Sequence, residues 1–97
     1  MIPTPDLTVT HPYARADLEP VNASEVRVGD LLAHGGPQGS GRYCGDLVTN
    51  ADWAGYSTSW QDDTYRIEYR SRSGELLEIV QPERIRLSRV REDRRKP

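Results

Sequence analysis

The sequence predicts an all-β fold: a small five-stranded antiparallel barrel, with an extended Pro-rich leader before it and a basic tail after it. Three observations carry this expectation. Short segments of alternating apolar and polar residues recur at close spacing between turn residues. No segment long enough for a helix keeps a 3.6-residue apolar period. The chain of 97 residues has room for a single small domain. Closing so few strands into a barrel removes the exposed edges that a short open sheet would present.

Residues 1–20 form the expected leader. They contain Pro3, Pro5, Pro12 and Pro20, each of which removes a backbone donor and restricts its predecessor. Asn22-Ala23-Ser24-Glu25 has capping-box spacing and predicts a short 3₁₀ turn. Val26 and Val28 then set a two-residue period for a first strand reaching Ala33, with Gly29-Asp30 as a turn or bulge inside it. The glycine-rich stretch 35–41 is a flexible loop, and 43–49 alternates as a second strand. Residues 50–63 are polar and aromatic, and predict a long loop or a distorted hairpin end. The clearest strand is 65–70, with Tyr65, Ile67 and Tyr69 on one face and Arg66, Glu68 and Arg70 on the other. A turn at 71–74 returns the chain through 75–81 as a hairpin. Gln81-Pro82-Glu83 breaks that strand, and Ile85 and Leu87 open the last one. The barrel therefore spans 21–90, and 91–97 form a disordered basic tail.

The core of such a barrel is small. Leu, Ile and Val total 19 residues, Phe is absent and only 35% of the chain is hydrophobic. Mean hydropathy is −0.76. A domain so poor in aliphatic residues gains by pairing two copies, through an edge strand or through its aromatic loop, which predicts a homodimer.

Three segments carry a resemblance: Val26-Arg27-Val28-Gly29-Asp30-Leu31-Leu32, Gly41-Arg42-Tyr43-Cys44-Gly45-Asp46-Leu47-Val48 and Gln81-Pro82-Glu83-Arg84-Ile85-Arg86-Leu87. In spacing and turn chemistry the chain resembles SH3-like small barrels of the Tudor and KOW type. The resemblance covers about residues 21–90. It implies a non-catalytic module of a fold that binds peptides, protein partners or nucleic acid.

Enzymatic chemistry has no residue set to carry it. Cys44 is the single thiol and reads as a small buried residue on a strand face. His11 lies in the leader and His34 beside the glycine loop, so neither forms a rigid dyad with it. No paired Cys or His spacing marks a metal site. Asp52, Asp62 and Asp63 read as solvated loop charge, and the glycine loop lacks the following Lys and the strand-to-helix context of a phosphate cradle. No catalytic residue, metal or cofactor is expected.

The aromatic residues point elsewhere. Six of the seven Tyr and Trp residues fall between Tyr43 and Tyr69. Trp53, Tyr56 and Trp60 stand in an otherwise polar segment, as aromatic anchors do at binding surfaces. They read either as a protein-contact surface or as a plug for one barrel end. Charge divides along the chain. The total of −2 comprises −2 in 1–20, −5 in 21–83 and +5 in 84–97. An alternative partner is therefore nucleic acid, bound through Arg84, Arg86, Arg89, Arg91, Arg94, Arg95 and Lys96, with Arg66, Arg70 and Arg72 extending the contact. The acidic barrel opposes that reading and favours a protein partner. With no secretory leader, membrane span or disulfide pair in the sequence, the expected location is cytoplasmic. The preference for Arg over Lys suggests a GC-rich source, actinobacterial or phage.

Overall fold

Alternation along 65–70 does build a strand, and one neighbouring strand pairs with it on either side. The computed structural model describes residues 12–33, 42–71 and 74–95. Eight strands occur among them: β1 (Tyr13–Ala14), β2 (Leu18–Asn22), β3 (Leu31–Leu32), β4 (Arg42–Tyr43), β5 (Asp46–Ser57), β6 (Asp62–Arg70), β7 (Leu76–Pro82) and β8 (Arg86–Val90). β1 and β4 make a two-stranded ribbon. The other six form one sheet in the order β2-β8-β3-β5-β6-β7, and every pairing is antiparallel. β2 and β7 are its edges, so the sheet is not closed into a barrel, and its strands outnumber the five expected.

Residues placed in the leader belong to this architecture. Leu18 to Asn22 pair in register with Val90 to Arg86, and Tyr13 is buried. Its ring explains Gly45, where an added Cβ would lie 3.0 Å from Tyr13 Cε2 and 3.2 Å from Leu31 Cβ. Two 3₁₀ turns flank β2, at Arg15–Asp17 and Ala23–Glu25. In both, an acidic side chain takes the backbone N–H three residues earlier: Ala14 N donates to Asp17 Oδ2 at 2.8 Å and Asn22 N to Glu25 Oε1 at 2.9 Å.

The expected first strand is largely a turn. Asp30 N donates to Arg27 O at 3.0 Å, and Gly29 adopts φ +95°, which glycine alone tolerates readily. Val28 is exposed, and only Leu31 and Leu32 pair as a strand. Conversely, the segment 50–63 is more regular than its composition suggests. β5 runs through it to Ser57 and forms a long hairpin with β6, interrupted by register shifts after Val48 and after Trp53. Cys44 lies half-buried between β4 and β5, its Sγ 4.0 Å from Asp46 Oδ1, and not on a strand face. His11, His34, Arg72 and the glycine loop lie outside the described residues.

The core is correspondingly compressed. Val21, Ala23, Val26, Leu32, Val48 and Ile67 form its buried cluster, with Ala51, Tyr65, Ile79 and Leu87 packed around it. A charged network supplements it. Arg89 on β8 meets Glu19 on β2 at 2.7 Å and Asp30 at 3.2 Å, while Arg95 meets the other oxygen of Asp30 at 3.2 Å and donates to Gly29 O at 2.9 Å. Arg27 N also donates to Asp30 Oδ2 at 2.8 Å. Burial disfavours the Arg89 cation, but hydrogen bonds and charge from Glu19 and Asp30 outweigh it and raise its pKa. Residues 91–95 are therefore not a loose tail: Glu92–Arg94 form a 3₁₀ turn that brings Arg95 back onto the domain.

Two stability predictions follow from this packing. Replacing Asp30 by Ala leaves Arg95 without its carboxylate and Arg89 with Glu19 alone, and urea denaturation is expected to show a loss of about 3 kcal/mol, with Asp30→Asn losing less. Burial, and then the charge of Asp46, raises the Tyr69 phenol pKa above its ordinary value. A raised folded-state pKa contributes stability that is complete below the unfolded pKa of about 10 and is lost as pH rises through the folded value. Unfolding free energy measured across the alkaline range should therefore fall above about pH 10, and Tyr69→Phe should flatten that fall.

Candidate functional site

The two bulges decide which side chains share a face of the β5–β6 hairpin. Regular alternation on β6 puts Asp63, Tyr65, Ile67 and Tyr69 on one side. Their partners on β5 are Tyr56, Trp53, Ala51 and Val48 in turn. The rows Val48–Tyr69 and Ala51–Ile67 are core. The same face then continues beyond the core to Trp53–Tyr65 and Tyr56–Asp63. Were the pairing regular between Trp53 and Gly55, Tyr56, three positions after Trp53, would point to the opposite face, since a one-residue shift inverts every side chain. Gly55 makes the bulge with φ +111°.

At the end of this face the three candidate aromatic residues stand in solvent: Trp53 is 62% exposed, Tyr56 61% and Trp60 48%. They do not plug the fold. Trp60 sits in the turn joining β5 to β6, which closes with Gln61 at φ 54°. That turn is braced by polar contacts. Trp60 N donates to Ser57 Oγ at 3.2 Å, Thr64 Oγ1 to Gly55 O at 2.7 Å, and Trp53 Nε1 to Asp63 Oδ1 at 3.3 Å. Asp62 accepts from the Asp63 and Arg84 backbone N–H groups, and Arg84 Nη2 donates to Trp60 O at 3.0 Å. Asp62 and Asp63 are thus structural acceptors and not free loop charge. Among the described residues no group of His, Cys, Asp and Glu side chains is placed to hold a metal ion.

Several of the basic residues named for nucleic acid are engaged within the domain. Arg84 supports the aromatic turn, and Arg89 and Arg95 are spent on Glu19 and Asp30. Arg91 Nε donates to Leu18 O at 3.4 Å, and Arg94 Nε lies 4.0 Å from Asp93 Oδ2. Arg86 is exposed on β8, and Lys96 lies outside the described residues. The sequence carries no signal for the support of the turn by Arg84; for Gly55 the available signal is an isolated Gly between the aromatic residues Trp53 and Tyr56.

A cleft of about 300 Å³ opens elsewhere, between β2, β8 and the β1–β4 ribbon, lined by Arg15, Leu18, Glu19, Pro20, Tyr43 and Ser88. It gathers none of the aromatic candidates. Among the described residues no helix is long and apolar enough to cross a membrane. Comparison of the chain with protein-family models, with curated proteins and with solved structures gave no significant match.

Gly55→Val tests the bulge. It places a β-branched residue at positive φ, costs about 1–2 kcal/mol, and should shift the amide resonances of Trp53, Tyr56 and Thr64 while leaving those of β2 and β8 in place.

Proposed function

We propose that this protein is a non-catalytic interaction module that binds a protein partner through Trp53, Tyr56 and Trp60. One observation carries the reading: large aromatic side chains with polar tips are exposed together at the end of a hairpin whose backbone is fixed by cross-strand and turn hydrogen bonds. Such anchors bury much area on binding and lose little conformational entropy, because their positions are already set. The strand order β8-β3-β5-β6-β7, in which the last strand returns beside the first, supports placing it with SH3-like small barrels, with β2 as an added edge. Nucleic-acid binding through the C-terminal arginines is the weaker reading, because Arg89 and Arg95 already neutralise carboxylates within the domain.

Affinity capture from the native host, with and without nuclease, tests this reading. A nuclease-resistant protein partner is expected. Trp53→Ala combined with Trp60→Ala should weaken its capture at least about 30-fold, the scale of a central aromatic hot spot, with little change in melting temperature. Undiminished capture by the folded double variant would rule out the aromatic site.

A further inference from the structure

The second candidate surface is an edge of the sheet and does not depend on the aromatic site. Ser71 N donates to Glu75 O and Glu83 N to Asp63 O, both at 2.9 Å. These contacts bracket an unbroken antiparallel register from Arg70↔Leu76 to Thr64↔Pro82. Antiparallel hydrogen-bonded pairs alternate, so the odd-numbered residues of β7 turn their N–H and C=O groups toward β6. Leu76, Glu78 and Val80 turn theirs to the open side. Pro82, which has no N–H to offer, occupies a position that would also face outward.

Residues along this edge are exposed to solvent. Leu76 is 60% exposed, Val80 51% and Glu78 is exposed between them. The register sets Glu78 directly opposite Glu68, in a non-hydrogen-bonded pair where side chains lie closest. Two like charges there repel each other. A cation on an added strand, opposite Glu78, would relieve them.

That charge pattern also selects against a second copy. In the antiparallel self-pairing that uses Leu76, Glu78 and Val80 fully, Glu78 meets its own symmetry mate, and four carboxylates share one row. Shifting the register by two residues sets Glu78 against an apolar side chain and gives up part of the ladder. Acidic residues on an edge strand guard against self-association in this way.

We infer that the outer edge of β7, which no other strand covers among the described residues, accepts an antiparallel strand from another protein, with apolar residues facing Leu76 and Val80 and a Lys or Arg between them facing Glu78. Backbone bonds supply affinity in this mode and alternate side chains supply specificity.

The test titrates the isotope-labelled full chain with the capped peptide Thr-Val-Thr-Lys-Thr-Val-Thr, and with the same peptide carrying Glu in place of Lys. The Lys peptide should shift the amides of Leu76, Glu78 and Val80, slow their hydrogen exchange and leave the Trp53 indole unmoved. Glu78→Lys should invert the preference between peptides, a change of about threefold or more in each direction. Val80→Pro removes one outward N–H without breaking a bond to β6, and should weaken binding about fivefold. Should that variant unfold, the charge inversion alone decides. Three outcomes would overturn the proposal: no response at millimolar peptide, equal binding of the Lys and Glu peptides, or amides already protected in the free protein. A concentration-dependent dimer in sedimentation that Glu78→Lys alters would assign the edge to a second copy and overturn it as well.

Discussion

Asp30 sits where the turn before β3, strand β8 and the residues after β8 meet, and its carboxylate takes hydrogen bonds from Arg27, Arg89 and Arg95. The position matters because β3 is the narrowest point of the sheet. It contributes two residues, paired with Leu47 and Asp46 on one side and, through Leu32, with Arg89 on the other. The β2–β8 pair and the β5–β6–β7 meander are joined through that short element. Backbone bonds extend the joint, since Gly29 N donates to Val48 O and Val48 N to Asp30 O, each at 2.9 Å. The side-chain network then straddles it, from Glu19 on one edge to Arg95 beyond the last strand. The arrangement has a cost, because Arg95 Nε is buried without a partner. A chain with so few aliphatic residues fastens its thinnest seam with charge where a larger core would use packing.

On the other side of that seam, the β5–β6 hairpin outruns the elements that cover it. Its inward face is fully buried at Ile67 and Val48 and largely exposed at Trp53, three residues beyond Asn50. The aromatic residues are therefore the continuation of the core face into solvent. That continuity explains why they are aromatic: the row must pack against Tyr65 on one side and tolerate water on the other. The turn is held by Arg84, which reaches it from the β7–β8 connection. The candidate surface is thus anchored at both ends, to the core through Ile67 and to the neighbouring turn through Arg84.

Much of this hairpin was legible in the sequence. Strict alternation at Tyr65, Ile67 and Tyr69 gave the strand and its buried face, and the turn at 71–74 gave its return. The Asn22-to-Glu25 spacing gave the 3₁₀ turn and its cap. Other parts were hidden for physical reasons. The Val26-Arg27-Val28 pattern mimics a strand, but Gly29 and Asp30 close a turn over it, and two apolar residues cannot outweigh the seven hydrogen bonds at Gly29, Asp30 and Val48. Bulges in β5 break the two-residue period, so 50–63 reads as loop although both of its arms are paired. Leu18 to Pro20 read as leader because Pro20 argues against a central strand, and β2, to which they belong, is an edge.

Counting charge by segment shows why pairing must be known before partners are inferred. The terminal excess of +5 over residues 84–97 suggests an arm free to meet a polyanion. In the folded chain Arg89 and Arg95 face Asp30 and Glu19, and Arg84 is turned to a backbone carbonyl. The −5 of the middle segment is reduced by the same contacts, since Asp30 lies in it. Exposed charge of both signs remains among the described residues, including Arg66 and Arg70 on β6, Glu78 on β7 and Arg86 on β8. Ionic contacts made within the domain leave less charge to be screened or steered, so net charge by segment is a poorer guide to this surface than the exposed aromatic rings and the β7 edge, which pairs only with β6 among the described residues.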